Sequence, residues 1–137
     1  MYDYNFDVML KNNIVATIHV DRINKKVQWW RFEENPFKVP FYLFGLPGFT
    51  KHEPNYNWVE KFLIHRTFPR ERGNCRDILN FLGLDRYNIW DICRKTHGVT
   101  SDDPFWLRFP EHSNITRGDI DEMYMVGKDV VITEYDI

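Results

Sequence analysis

Four arginines in the middle of the chain carry the strongest chemical signal of this sequence. They are Arg66, Arg70, Arg72 and Arg76. Guanidinium groups match the geometry of carboxylates and phosphates, so such a cluster is typical of a surface that contacts an acidic protein face or nucleic acid. The net charge of -2 at pH 7 argues against a strongly basic nucleic-acid footprint and favours a protein partner. Neutralisation by the acidic C-terminal part of the same chain is the structural alternative.

An aromatic segment that contains several prolines supplies a second kind of binding residue. Residues 33–57 include Phe41, Tyr42 and Phe44. These rings either pin the segment across the fold or are presented to a partner. Arginine and aromatic side chains are the usual anchors of protein interfaces. We therefore predict a partner-binding surface composed of Arg66, Arg70, Arg72, Arg76, Phe41, Tyr42, Phe44 and Arg108.

Residue types that serve catalysis or metal binding are present, but their spacing is uninformative. Cys93 and His97 are spaced i, i+4, and His65 and Cys75 lie upstream, a set that would suit zinc or a thiol nucleophile with its base. The spacing matches no zinc-finger pattern, and both cysteines fall in or beside apolar stripes, which favours buried thiols.

Carboxylates near the C-terminus would suit a hard metal or general acid and base catalysis. However, Asp119 follows Thr116 where the first turn of a helix favours negative charge, so no catalytic explanation is needed. The chain also lacks a phosphate-binding glycine loop, a nucleophile elbow and a zinc-protease helix. We expect no enzyme activity, no catalytic residue, no metal and no cofactor.

Composition places the chain among small cytoplasmic proteins. Its 137 residues suit a single domain, 1–137, that needs no disulfide or metal to fold. The aromatic content of 17% is high, which suits an interaction protein. The acidic N-terminus does not resemble a signal peptide, and no apolar run is long enough to span a membrane. Two cysteines make no disulfide framework, which favours a reducing compartment.

The first 32 residues predict a three-stranded antiparallel meander. Tyr4, Phe6, Val8 and Leu10 alternate with polar neighbours and with Met9, as expected for a strand with one buried face. Residues 11–13 suit a tight turn, a second alternating run covers 14–20, and a third covers 26–32.

The remainder predicts short helices and extended segments. Asn57 and Asn74 are expected to begin two helices, a third runs from about Tyr87 to Thr96, and Thr116 begins a fourth that ends near Met125. Residues 105–109 and 128–137 suit extended segments or strands. The predicted class is α+β, with the meander (1–32), an aromatic loop (33–57), a helical part (58–97) and a final part with an extended segment, a short helix and a terminal strand (98–137).

One stretch resembles a module of known proteins. The arginine-rich start at Arg72, the run from Asp77 to Tyr87, and the ending from Ser101 to Arg108 look like a segment in small proteins of low-GC Gram-positive bacteria and their mobile elements. In some of these proteins the segment precedes a HipA-like kinase domain. The matching positions are Arg72, Leu82, Gly83, Leu84, Asp103, Trp106 and Arg108.

The resemblance implies a stand-alone recognition or regulatory module, because the kinase machinery is missing. We expect a small non-catalytic interaction protein of bacterial, phage or mobile-element origin that binds and modulates a protein, for example as an inhibitor of a host defence system. The alternatives are a nucleic-acid-binding module that uses the arginines of residues 66–76, or a regulatory module of a HipA-like toxin system. The oligomeric state is left open.

Overall fold

A computed structural model describes residues 3–32, 43, 54–71, 73–100 and 104–120. In these ranges the strands are β1 (Tyr4–Leu10), β2 (Asn13–Asp21), β3 (Lys26–Phe32) and β4 (Phe105–Arg108). The α-helices are α1 (Tyr56–Ile64), α2 (Cys75–Leu82) and α3 (Ile89–Thr96), and Pro110–His112 forms a 3-10 helix. The α+β class is confirmed for this part of the chain.

The sheet is antiparallel and has four strands in the order β3-β2-β1-β4. The predicted meander is therefore correct in its three strands but incomplete, because β4 joins it along β1. Val8 lies opposite Leu107 and Met9 opposite Trp106 in that pairing. The sequence marked residues 105–109 as extended, but the partner strand lies almost a hundred residues earlier, beyond the reach of any local pattern.

The two hairpins explain why β1, β2 and β3 are neighbours. Leu10 pairs with Asn13, and Lys11 between them has the left-handed φ of 57°. In the second turn the Asp21 carboxylate accepts hydrogen bonds from the backbone N–H groups of Ile23 and Asn24 at 3.0 and 3.1 Å. Short polar turns of this kind fix the register of the strands that they connect.

One face of the sheet, which we call the inner face, carries the main core. Strand residues Tyr4, Phe6 and Ile18 pack there in one cluster with Phe62 of α1 and Cys93 of α3. The apolar residues that alternate along β1 therefore face the core, as predicted. A smaller cluster joins α2 and α3 through Phe68, Leu79, Leu82 and Ile92.

Described residues cover the opposite face, the outer face, at one end. Met9, Trp106 and Ile120 form a third buried cluster there. Met9 was expected on the polar side of β1, and it is buried because residues 117–120 are helical and bring Ile120 over it. The start of that helix at Thr116 is as predicted, since the Thr116 hydroxyl accepts from the Asp119 N–H at 3.2 Å and the Asp119 carboxylate accepts from the Thr116 N–H at 3.0 Å.

The predicted start of α2 at Asn74 is confirmed, and α3 begins close to the predicted Tyr87. Asn74 precedes α2, and Gly83 ends that helix in a left-handed conformation, φ 76°. Asn88 caps α3. The first helix begins earlier than expected, because Asn55 rather than Asn57 accepts the hydrogen bond from Trp58 N–H, at 3.0 Å.

Several expectations concern residues outside the described ranges. The aromatic loop of 33–57 is represented by Leu43 and by 54–57, and the predicted strand of 128–137 is not represented. Within the described ranges, none of the helices could span a membrane.

Candidate functional site

The predicted partner surface does not form one patch. The structure places Arg66 in the interior, Arg70 and Arg76 on the surface beside α2, and Arg108 on the outer face of the sheet. Arg72, Phe41, Tyr42 and Phe44 lie outside the described residues.

Arg66 holds separate parts of the chain together. It is only 3% exposed. Its Nε donates to the carbonyl of Gly98 at 2.6 Å and its Nη2 donates to the carbonyl of Phe105 at 2.6 Å. Its guanidinium also lies over the Phe62 ring, 5.0 Å from the centroid. Partner contact requires an accessible side chain, so the expectation for Arg66 is corrected: this arginine is structural.

His97 fastens the same part of the fold to β4. The Leu107 N–H donates to the His97 carbonyl at 2.7 Å, and the His97 Nδ1 lies 2.9 Å from the Leu107 carbonyl. Since that carbonyl is an acceptor, the ring carries its proton on Nδ1. Gly98 follows with φ 60°, and a Cβ there would lie 2.9 Å from Leu107 Cδ1. Helix α3 can therefore approach β4 this closely only because residue 98 is glycine.

The Cys93 thiol is placed for packing. It is fully buried and lies 3.6 Å from the Leu63 carbonyl, to which it donates. Burial raises its pKa to about 12, so the nucleophilic thiolate is strongly disfavoured at neutral pH. His97 directs its Nδ1 to Leu107 instead of to this thiol. Across the described ranges no group of three or more His, Cys, Asp or Glu side chains is arranged to hold a metal.

The first candidate surface lies beside α2. Arg70 Nη2 contacts the Tyr87 carbonyl at 3.5 Å with its guanidinium 5.1 Å from the ring centroid, and Arg76 Nη1 donates to the Asp85 carbonyl at 2.9 Å. The Tyr87 ring is itself held, because its hydroxyl donates to the Phe68 carbonyl at 2.6 Å. Both arginines thus use backbone carbonyls as partners, and neither forms an ion pair with a described carboxylate.

An exposed phenylalanine lies on the same helix. Phe81 is 61% exposed, whereas Leu79 and Leu82 beside it are buried. At 3.6 residues per turn, Arg76 and Phe81 belong to the solvent side of α2. We call the exposed side chains Arg70, Arg76 and Phe81 the α2 surface. Phe81 was missed in the sequence, although the stripe of Ile78, Leu79 and Leu82 already leaves it on the other side of the helix.

The second candidate surface is the part of the outer face that lies away from the cluster of Met9, Trp106 and Ile120. Asp7 lies opposite Arg108 on one side and Thr17 on the other, and Thr17 lies opposite Arg31. A second row runs through Asn5, His19 and Trp29. These residues belong to all four strands, so the sheet itself determines their spacing.

Hydrogen bonds organise the first row of this face. Arg108 donates to Asp7 Oδ2 from Nε at 3.3 Å and from Nη2 at 3.2 Å, and Thr17 Oγ1 donates to Asp7 Oδ1 at 2.9 Å. The Asp7 charge is therefore balanced within the protein. Arg108 uses Nε and Nη2, and not Nη1, for its hydrogen bonds to Asp7. Arg31 is exposed at the far end of the row.

A recess of about 80 Å³ opens in this face. Its walls include Asn5, Asp7, Thr17, His19, Arg108, Pro110 and Ser113. The side-chain oxygen of Asn5 is buried there without a hydrogen-bond donor. Beside the recess, Trp29 is 44% exposed and its ring centroid lies 4.9 Å from that of His19. Burial lowers the pKa of His19, so this ring is neutral at pH 7.

Trp29 and Arg31 were absent from the predicted site, although the sequence held a signal for them. Trp29 and Trp30 are adjacent in a strand, so they must face opposite sides of the sheet. One of the two rings therefore had to lie on the outer face. Which ring it is depends on the register with β2.

Comparison of the chain with protein families, with curated proteins and with solved structures gives no match. Of the positions that carry the resemblance to the module preceding HipA-like kinases, Leu82 and Trp106 lie in the buried clusters. Buried side chains at these positions contribute to the packing of the core. The two exposed surfaces are therefore the candidates for function.

Proposed function

We propose that this protein is a non-catalytic binding protein that engages the acidic surface of a protein partner through its α2 surface and thereby modulates that partner. The observation that carries the proposal is the placement of Arg70 and Arg76. Both are exposed cations whose hydrogen bonds go to backbone carbonyls. Guanidinium groups that form no ion pair with a described carboxylate of their own chain can form one with a carboxylate of a partner.

Phe81 adds the apolar component of the proposed interface. Its ring is on the solvent side of α2, about 140° around the helix from Arg76, and is 61% exposed. Aromatic side chains and arginines are the residues in which interface hot spots are enriched. Asp77 on the same helix is also exposed and gives the surface a mixed charge that restricts the choice of partner.

The biological setting belongs to the same proposal. A small aromatic-rich protein that binds stoichiometrically suits a bacterial, phage or mobile-element inhibitor of a host defence system. The resemblance to the module of HipA-like systems supports the related role of a regulatory module in such a toxin system. In both cases the α2 surface is the contact region.

Capture of partners by a tagged protein tests the proposal. The wild type and the double variant Arg70→Glu with Arg76→Glu are compared in bacterial lysate treated with nuclease. We expect the wild type to retain a stoichiometric protein and the double variant to lose it, with affinity reduced roughly tenfold or more by like-charge repulsion. Phe81→Ala should weaken the same capture.

The matched control reverses two charges elsewhere. Lys25 and Lys26 are exposed in the turn before β3 and at its start, so Lys25→Glu with Lys26→Glu changes the net charge by the same amount. This control should capture the partner as the wild type does. Equal capture by wild type and by the Arg70, Arg76 variant, with both folded, would refute the proposal.

A further inference from the structure

One part of the outer face combines exposed side chains with an apolar recess, and partner binding through α2 does not use it. Trp29 is 44% exposed there, Arg31 is exposed two residues further along β3, and the recess has Phe109 and Pro110 among its walls. We propose that this part of the outer face is the docking surface of the chain's own residues 121–137, which lie outside the described ranges.

The chain has already reached the outer face where its described part ends. Ile120 is fully buried in the cluster with Met9 and Trp106 on that face. The start of its helix is held to the sheet, because the Arg117 N–H donates to Asn12 Oδ1 at 3.0 Å. The chain that follows therefore starts from the outer face.

The distance from this point to Trp29 is short compared with the chain that follows. Trp29 lies in the cross-strand row of Asn5, four residues before Met9 on β1 and two strands away. Strand geometry gives roughly 14 Å along the strands and roughly 10 Å across them, or about 17 Å in a straight line. Residues 121–137 would span about 25 Å as a helix and about 50 Å when extended. The segment can thus reach Trp29 in either conformation.

The composition of residues 121–137 complements this part of the outer face. The segment contains five carboxylates but a single lysine, and most of its other residues are apolar or tyrosine. Asp7 balances Arg108 on the face, so Arg31 leaves their row with a positive charge. The apolar side chains suit the recess and the Trp29 ring, and the carboxylates suit Arg31.

The long connection between β3 and α1 is anchored on the inner face instead. Leu43 in this connection is fully buried in the main core. Val59 and Phe62 of α1, which follows, belong to the same core. This connection would have to pass around an edge of the sheet to reach Trp29, whereas residues 121–137 start on the correct side.

Attachment to the same chain also favours residues 121–137 over a separate molecule. A tethered segment acts at an effective concentration in the millimolar range, so a free partner must compete with it for the surface. A second copy docked through the same face would bring two Arg31 side chains into one interface, where like charges oppose association.

Photo-crosslinking in the whole chain tests the proposal. The variant Trp29→p-benzoylphenylalanine carries a ring that, on irradiation, forms a bond to a C–H group beside it. We expect a product of monomer mass in which position 29 is linked to residues 121–137, identified by mass spectrometry after proteolysis. The same probe at Arg31 should give the same product, which covers the case that one variant does not fold.

Two control positions separate docking from chance encounters of a tethered segment. Ile23 is 85% exposed in the turn at the same end of the sheet as Trp29, and Phe81 is 61% exposed on α2. The probe at either control position should give little product with residues 121–137. Concentrated urea should remove the product of the Trp29 probe, because docking needs the folded sheet. Thermal unfolding confirms that each variant is folded.

Several results would overturn the proposal. They are a product of dimer mass, a link from position 29 into residues 33–53, equal yields from the probes at Trp29 and Ile23, and no product from folded variants with the probe at position 29 or 31. A link from Phe81 to residues 121–137 would instead show that the acidic segment covers the α2 surface, and it would count against this proposal and the proposed function together.

Discussion

Gly98 is the residue at which the backbone and the packing impose the strictest requirement. Its φ is 60°, and a Cβ would lie 2.9 Å from Leu107 Cδ1 and Cγ. An L-residue pays about 1–2 kcal/mol in the left-handed region, and overpacking adds about 1–3 kcal/mol. We therefore expect Gly98→Ala to lower the free energy of unfolding by roughly 2–5 kcal/mol, measured by urea denaturation.

Gly83 is the control for this prediction. Its φ is 76°, but a Cβ there would have nothing within 4 Å. Gly83→Ala should therefore show the conformational cost alone, about 1–2 kcal/mol. Equal losses of unfolding free energy at positions 83 and 98 would mean that contact between the added methyl group and Leu107 does not destabilise the Gly98→Ala variant.

Arg66 shows how burial changes the meaning of an arginine. Two hydrogen bonds of its guanidinium reach carbonyls that lie 32 and 39 residues further along the chain. Arg66→Met keeps much of the stem and removes the donors of these two bonds, which leaves the carbonyls of Gly98 and Phe105 without this partner. We expect a loss of about 2–4 kcal/mol in the free energy of unfolding.

Arg70→Met is the comparison for Arg66→Met. Arg70 is exposed and contacts the Tyr87 carbonyl at 3.5 Å, so this variant should unfold within about 0.5 kcal/mol of the wild type. If the two variants were equally stable, the structural role of Arg66 would be wrong.

Among the elements, α2 and α3 begin in the same way in the sequence but differently in the structure. Asn88 accepts hydrogen bonds from Trp90 N–H and Asp91 N–H at 2.9 and 3.2 Å. Asn74 precedes α2 with no side-chain hydrogen bond to the helix. Asn88→Ala should therefore cost about 1 kcal/mol of unfolding free energy, and Asn74→Ala only a few tenths. Chemical denaturation of both variants compares them, and a larger loss at position 74 would contradict this account.

Some elements of this fold follow from local sequence patterns more directly than others. Strands β1, β2 and β3 were predictable because apolar residues alternate along each and short turns join them. Helices α2 and α3 were predictable because Leu79, Leu82, Ile92 and Cys93 recur at helical spacing. The start of α1 was misplaced by two residues, since Asn55 and Asn57 are equally good capping residues and only the backbone geometry distinguishes them.

At the scale of the whole molecule, pH should affect stability through two histidines, the buried His97 and the half-buried His19. Burial lowers the pKa of His97, with the nearby His112 acting in the same direction, and burial also lowers the pKa of His19. The unfolded chain then takes up protons that the folded protein does not bind. The contribution of these histidines to the free energy of unfolding is fully present above about pH 6.5. It is lost as the pH falls below the histidine pKa of the unfolded chain.

Urea denaturation between about pH 3 and 8 measures this effect. His97→Asn keeps a residue that tolerates the left-handed backbone and removes the titrating ring, so its stability should fall less steeply below pH 6.5. An unchanged pH dependence would show that His97 is not responsible. Below about pH 4.5, loss of the ion pairs of Asp3 and Glu111 should add a second decrease, because the pKa of each of these carboxyl groups is lowered in the folded state.

The sequence by itself determined the α+β class and three of the four strands in the described part of the sheet. Local periodicity was sufficient, because it states which side of an element is apolar. Only the tertiary structure decided that Arg66 is buried, that β4 pairs with β1, and that Trp29, Arg31 and Arg108 share one face. The reason is that each of these features depends on atoms far away in the chain, and spacing along the sequence carries no information about which distant donor meets which acceptor.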